Sequence, residues 1–135
     1  MLRFAEFVFA ALLLAAPAHA APDNSIVVEL NSAETAQGKC RVAFVVDNKG
    51  DAIESLKLDL AVFNREGIVQ RRLVTEMGPL RKAKTIVRTF DLEGECGAIG
   101  SILVNDVSAC TPGEPGACLD RLALSSRAPG IRLYK

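Results

Sequence analysis

The fold is decided between residues 56 and 74, which read Leu56-Lys57-Leu58-Asp59-Leu60-Ala61-Val62-Phe63-Asn64-Arg65-Glu66-Gly67-Ile68-Val69-Gln70-Arg71-Arg72-Leu73-Val74. In the first half, leucine or valine occupies every second position, and this period of two predicts a strand with one face on a core. Asn64 and Gly67 supply the side-chain acceptor and the glycine of a tight turn. The stretch therefore predicts a long β-hairpin from Leu56 to Val74.

Further short strands are predicted on both sides of the hairpin, with turn residues between them. They cover residues 25–30, 40–46, 85–92, 99–107, 119–124 and 131–134. No stretch after residue 20 has a sustained helical period, and we find no internal repeat. About seven short strands in a chain of this length predict an all-β fold, an antiparallel β-sandwich.

The N-terminus has the pattern of a secretory signal peptide. Phe7 to Ala16 is an unbroken apolar run, and residues 17–20 end in the small-x-small pattern that signal peptidase cuts. The run is much shorter than the roughly 20 residues of a membrane-spanning helix. We expect residues 1–20 to be removed after Sec-type export to the periplasm, which leaves one domain, residues 21–135, without a transmembrane anchor.

Composition argues against most enzyme classes. Residues 1–20 contain Arg3, Glu6 and the only histidine, His19, so the exported chain has 15 basic and 15 acidic residues and no histidine. Histidine is the usual general base and the commonest metal ligand. The net charge of zero and the compartment also argue against nucleic acid as a partner. We expect no catalytic residues, no cofactor and no metal.

Four cysteines remain after cleavage: Cys40, Cys96, Cys110 and Cys118. An even number in an exported chain indicates disulfides. A four-cysteine zinc site is the rival interpretation, but the chain has no Cys-x-x-Cys pair. Spacing alone leaves three connectivities open.

In its number of strands and its length the chain resembles the immunoglobulin-like superfamily, including small modules exported by bacteria. The resemblance covers most of residues 26–124 and is architectural, because the buried tryptophan of antibody-type domains is absent. Immunoglobulin strand order implies that the strand beginning at Cys40 pairs with the one ending near Leu92. It thus implies the disulfides Cys40–Cys96 and Cys110–Cys118.

Two acidic segments have spacings that also occur in metal-binding or catalytic sites. Residues 47–51 alternate oxygen-bearing side chains, but Ala52 and Leu58 stand where a calcium-binding EF-hand loop needs glycine and glutamate, so we predict a turn. Asp91, Glu93 and Glu95 alternate like a carboxylate pair of a glycosidase or a metal site. No pocket-forming aromatic residues accompany them, and we predict a solvated loop.

Two segments are candidate binding surfaces. A basic patch is expected between residues 65 and 88, where seven basic residues stand against two acidic ones: Arg65, Arg71, Arg72, Arg81, Lys82, Lys84 and Arg88. Its alternative role is to protect an edge strand from aggregation. A stiff loop closed by a disulfide is the second candidate, and it comprises Thr111, Pro112, Gly113, Glu114, Pro115 and Gly116.

These observations predict a small periplasmic binding or accessory protein. The expected partner is another periplasmic or envelope protein, or an anionic envelope surface. Three alternatives remain open: a small-ligand or metal-binding carrier, an enzyme that uses carboxylates without histidine, and a structural piece whose strand 26–30 or 131–134 adds to a neighbour's sheet.

Overall fold

Eight strands, one short helix and one 3-10 turn form the described part of the chain, residues 15–16 and 24–135, in a computed structural model. The strands are β1 Ile26–Ala36, β2 Lys39–Asn48, β3 Ser55–Asn64, β4 Val69–Glu76, β5 Lys84–Glu93, β6 Ile99–Thr111, β7 Leu122–Ser126 and β8 Arg132–Tyr134. Helix α1 spans Pro115–Arg121, and the 3-10 turn spans Cys96–Ala98. Except for Ala15 and Ala16, the predicted signal peptide and its cleavage site lie outside the described residues. Within those residues, no helix has the length and apolar composition that crossing a membrane takes.

The predicted hairpin is confirmed as β3 and β4, which pair antiparallel. The inner face of β3 is fully buried, as the alternation predicted: Leu56, Leu58, Leu60 and Val62. In the turn, the side-chain oxygen of Asn64 accepts hydrogen bonds from the amides of Glu66 and Ile68. Gly67 takes a positive φ of 80°, which a residue with a side chain rarely adopts.

The strands form two four-stranded sheets that share one hydrophobic core. Sheet 1 has the order β5-β2-β1-β7, and sheet 2 has the order β4-β3-β6-β8. Inner residues of both sheets belong to the same buried cluster, with Phe44 of β2 at 1 % exposure among its largest members. β4 and β5 are the edge strands that the 77–83 connection joins.

The end of the molecule near residues 77–83, here the closed end, is sealed by polar side chains that satisfy buried backbone groups. The amide nitrogen of the fully buried Asn48 donates to the carbonyls of Asp51 and Arg81 over 2.9 and 3.2 Å. Ile53 and Leu80 exchange two backbone hydrogen bonds. The turn predicted at residues 47–51 is shorter than expected, because Asp47 and Asn48 still belong to β2; the chain leaves the strand at 49–51, where Asn48 accepts a hydrogen bond from the amide of Gly50.

Both predicted disulfides are present. Cys40–Cys96 joins the start of β2 to the turn after β5, where Cys40 is the register partner of Leu92. Cys110–Cys118 ties the end of β6 to helix α1. The described residues hold no free cysteine.

The prediction was wrong about the segment after β6. Residues 119–121, expected to begin a strand, complete helix α1, and the strand starts only at Leu122. Pro115 is the first residue of the helix, a position for which the fixed φ of proline is favourable. A helix of two turns is too short to show a helical period in the sequence. The described chain has eight strands, close to the predicted number of about seven.

The last two strands also depart from the expected immunoglobulin order. β7 runs parallel to β1 in sheet 1, and the three-residue β8 runs parallel to β6 in sheet 2. In the expected order, one strand would pair antiparallel with β6. Helix α1, held by Cys110–Cys118, packs against β6, and the chain continues into sheet 1 instead.

The two disulfides should differ in their contribution to stability. They close loops with sequence separations of 56 and 8 residues, and chain-entropy arguments give about 4 kcal/mol for the longer loop and about 2.5 kcal/mol for the shorter one. We expect the pair Cys40→Ala and Cys96→Ala to lower the free energy of unfolding more than the pair Cys110→Ala and Cys118→Ala, as measured by urea unfolding. An equal or reversed order would contradict this.

Candidate functional site

The outer surface of sheet 1 is a charged face in which most charges are paired. Its ion pairs join neighbouring strands or flanking turns over 3.0 to 3.3 Å: Arg41–Asp91, Lys39–Glu93, Lys49–Asp47 and Arg127–Glu29. Arg41 holds the pKa of Asp91 below its ordinary value, mainly through their hydrogen bond. Exposed pairs of this kind contribute little stability and keep a surface solvated. Two of the three alternating carboxylates, Asp91 and Glu93, are thus ion-pair partners on a strand rather than parts of a loop.

The outer surface of sheet 2 has a different composition. One row of register partners crosses all four strands and reads Arg72, Ala61, Leu103 and Tyr134. The next row reads Val69, Phe63, Ser101 and Arg132. On β3, β6 and β8 these residues alternate with residues buried in the core, so their side chains point outward, and their register partners on β4 lie on the same face. We call this surface the aromatic face and define it by Phe63, Val69, Arg72, Val74, Leu103, Arg132 and Tyr134.

Aromatic and arginine side chains lie together on the aromatic face. Phe63, Leu103 and Tyr134 are half-buried, whereas Val69 and Val74 on the edge strand are 50 % and 58 % exposed. The guanidinium carbon of Arg132 lies 4.1 Å from the centre of the Tyr134 ring, a cation–π contact. The sequence prediction missed this surface. The period of two in β3 already put Phe63 opposite the core, but the pairing of Leu103 with Tyr134 joins β6 to the chain terminus and has no local signal.

A polar group lies beside the aromatic face. The carboxylate of Asp59 accepts hydrogen bonds from Asn105 and Arg72. The pKa of Asp59 lies below its ordinary value, mainly because of the hydrogen bond from Asn105. Burial raises the pKa, and the hydrogen bond and positive charge of Arg72 lower it further. Arg72 therefore stays in place beside an ionised partner, and its charge is locally balanced.

The seven residues of the predicted basic patch do not form one surface. Arg65 and Arg71 lie at the end of the molecule opposite the closed end, whereas Arg81, Lys82 and Lys84 lie near the 77–83 connection. Arg72 is on the aromatic face, and Lys82 pairs with Asp51 over 3.4 Å. The hairpin reverses the chain, so residues that are neighbours in sequence reach opposite ends.

Two of these arginines bind backbone carbonyls. Arg88 points inward from β5 and donates to the carbonyls of Met77 and Gly78 over 3.2 and 2.8 Å. Its guanidinium thus ties β5 to the connection that follows β4. Arg65 donates from Nε to the carbonyl of Gly97 over 2.6 Å, which links the hairpin turn to the 3-10 turn.

The predicted binding loop is shorter than expected. Thr111 is the last residue of β6, and Pro115 and Gly116 begin α1, so only Pro112, Gly113 and Glu114 form a loop. These three residues are exposed.

A cleft opens at the end of the sandwich opposite the closed end, and we call it the end cleft. It has a volume of about 420 Å³ and lies between the hairpin turn, the start of β4, the end of β5 and the 3-10 turn. Val62, Leu92 and Ile99, at the margin of the core, line its floor, and Arg71 and Glu95 are among its charged residues. Within residues 15–16 and 24–135, no group of three or more histidine, cysteine, aspartate or glutamate side chains is arranged to hold a metal ion.

No protein-family model, curated protein or solved structure matches this chain. Only the geometry and chemistry of the aromatic face and the end cleft therefore indicate what these surfaces bind. Both surfaces include residues of β4, so the position of this edge strand determines the shape of each surface.

Glu76 holds the far end of β4. Its carboxylate accepts hydrogen bonds from the amides of Leu56 and Gly78, each over 2.8 Å, and from the hydroxyl of Ser55 over 2.7 Å. Burial raises the pKa of Glu76, but the three hydrogen bonds outweigh it together, and the pKa lies below its ordinary value. Glu76 therefore fastens the open edge of sheet 2 to β3.

Removing this carboxylate should destabilise the protein. Glu76→Ala leaves two amides and a hydroxyl without their acceptor in a partly buried place, and we expect a loss of about 2–3 kcal/mol in the free energy of unfolding. Glu54→Ala, at an exposed glutamate whose side chain has no hydrogen bond in the described structure, is the matched control, with a change within about 0.5 kcal/mol. Equal losses in urea unfolding would refute the role of Glu76.

The same bonds predict a dependence on pH. Because the folded pKa of Glu76 lies below its ordinary value of 4.5, its contribution is complete above that pH and disappears as the pH falls through the folded pKa. Glu76→Gln cannot titrate, so the stability difference between wild type and Glu76→Gln should shrink as the pH is lowered from about 6 to about 3. A difference that stays constant over this range would be incompatible with the prediction.

Proposed function

We propose that the protein is a non-catalytic binding module that docks on another protein through the aromatic face. The contrast between the two outer surfaces carries this proposal. Among the described residues, sheet 1 presents ion pairs between charged residues and one strongly exposed valine, Val87, but no aromatic side chain, whereas sheet 2 presents Phe63, Tyr134, Leu103 and two arginines. Aromatic and arginine residues are enriched where proteins bind proteins, and lysine and glutamate are depleted there.

The proposed partner is a protein with an apolar surface rather than an anionic polymer or lipid layer. Arg72 on the aromatic face is balanced by Asp59, and Arg132 stacks on Tyr134. An anionic surface would instead require unpaired positive charges on one side, and the seven basic residues between 65 and 88 lie on several sides.

The proposal includes the compartment and the architecture. Two disulfides indicate an oxidising, extracytoplasmic environment, and the signal-peptide pattern of residues 1–20 favours the periplasm. The arrangements β5-β2-β1 and β4-β3-β6 support an immunoglobulin-like origin of the first six strands, with a rearranged C-terminal part. The lack of histidine in residues 21–135 supports binding without catalysis and without a cofactor.

Photo-crosslinking in the source cells tests the docking surface. A photoreactive phenylalanine analogue replaces Val74 on the aromatic face or, as the matched control, Val87 on the outer surface of sheet 1. Both are valines on edge strands, and they are 58 % and 59 % exposed. We expect the probe at position 74 to give one discrete crosslinked product with a second protein and the probe at position 87 to give none.

A charge placed on the surface gives the second arm. Val74→Glu should reduce recovery of that partner at least about tenfold, because an unpaired charge would be buried in the interface, whereas Val87→Glu should leave recovery unchanged. Equal crosslinking from both positions, or crosslinking from position 87 alone, would refute the proposal. A product of twice the chain mass would show that the face binds a second copy, not another protein.

A further inference from the structure

The end cleft contains charged side chains that the protein itself leaves without a partner. Arg71 lines the cleft from the inner side of β4, opposite Val62, and makes no hydrogen bond or ion pair with any described residue. The side chains of Glu66 and Glu95 line it as well and are equally unpartnered within residues 15–16 and 24–135. Among the described residues, the cleft thus presents one cation and two carboxylates that have no side-chain partner.

The other charged residues of the cleft are already engaged. Arg65 donates to the carbonyl of Gly97, and Glu93 pairs with Lys39 over 3.2 Å. The bond from Arg65 links the hairpin turn to the 3-10 turn, and the Lys39–Glu93 pair lies on the surface. The Cys40–Cys96 disulfide fixes the adjoining 3-10 turn, so the cleft walls are held in position before any ligand enters.

The floor of the cleft is apolar. Val62, Leu92 and Ile99 line it from three different strands, and each is at most 5 % exposed. Small-molecule sites occupy about 300–1,000 Å³ and combine an apolar lining with a few polar groups. The end cleft, at about 420 Å³, is at the small end of that range and therefore suits a small ligand, such as one with about a dozen heavy atoms.

We propose that the end cleft binds a small zwitterion of the amino-acid type, with a carboxylate, an ammonium group and an apolar side chain. Arg71 pairs with the carboxylate, for which its planar guanidinium is suited. Glu66 and Glu95 face the ammonium group, and the apolar side chain rests on Val62, Leu92 and Ile99. A ligand with only a carboxylate would meet two unpaired glutamates, and one with only an ammonium would leave Arg71 unpaired. Phe63 belongs to the aromatic face and also lines the cleft, but Arg71, Glu66, Glu95 and the three floor residues are not part of that face.

Ligands that share one apolar body but differ in charge test the proposal. The probes are L-leucine and L-leucyl-L-leucine as zwitterions, isocaproate as the anion alone, leucinamide as the cation alone, and N-acetyl-leucinamide without charge. We expect saturable NMR shifts of the methyl groups of Val62, Leu92 and Ile99 with at least one zwitterion. Isocaproate, leucinamide and N-acetyl-leucinamide should each bind at least about tenfold more weakly.

Variants of the charged residues complete the experiment. Arg71→Gln should weaken zwitterion binding at least about tenfold, whereas Arg81→Gln, at an exposed arginine near the closed end, should not change it. Glu66→Gln with Glu95→Gln should weaken binding of the zwitterion but not of isocaproate. Unchanged thermal unfolding midpoints would show that the variants remain folded.

Three results would overturn the proposal. The first is the absence of saturable shifts with either zwitterion up to about 10 mM. The second is equal binding of the zwitterions and the singly charged probes, and the third is an equal effect of Arg71→Gln and Arg81→Gln. Failure of these tests would leave the crosslinking result for the aromatic face unaffected, since that face and the floor of the cleft lie on opposite sides of sheet 2.

Discussion

The rest of the structure depends on the burial of the inner face of β3. Leu56, Leu58, Leu60 and Val62 are buried against the inner residues of sheet 1, in the core that also contains Phe44. Successive side chains of a strand point to opposite faces, so this burial forces Asp59, Ala61 and Phe63 to the outside. The core thereby determines what sheet 2 can present to a partner. A shift of one residue in register would place the charged Asp59 in the core.

The two ends of the sandwich differ in how they are closed. At one end the two sheets are joined by the 77–83 connection, and Asn48, Glu76 and Arg88 satisfy its backbone groups. Buried amides and carbonyls need partners, and these long polar side chains reach them where no strand continues. At the other end, Arg65 and the Cys40–Cys96 disulfide hold the turns but do not fill the space between them. That difference leaves the end cleft open.

Charge is used differently on the three surfaces. Most charged residues on the outer surface of sheet 1 are paired across strands, as Arg41 is with Asp91, and keep that face in water. On the aromatic face the arginines are held by Asp59 and Tyr134 and lie among apolar side chains. In the end cleft Arg71, Glu66 and Glu95 have no partner in the part of the chain that the structure describes. Inward-pointing arginines on both edge strands, Arg71 and Arg88, also oppose pairing of these edges with other chains.

The sequence by itself determined the local features: the hairpin, its turn and the inner face of β3. All depend on residues close together in the chain, where a period of two and the preferences of asparagine and glycine act directly. The disulfide pairing followed only once a strand order was assumed, and of that order the antiparallel pairing of β2 with β5, beside Cys40–Cys96, is present. The seven residues of the predicted basic patch do not lie together. The chain reverses between them, so that Arg65 and Lys84 are at opposite ends of the sandwich. Only the tertiary structure decided four other features: the helix at 115–121, the parallel placement of β7 and β8, the aromatic face and the end cleft. Each arises from contacts between segments far apart in the chain, such as Leu103 with Tyr134 and Arg65 with Gly97, and such contacts leave no periodic signal in either segment alone.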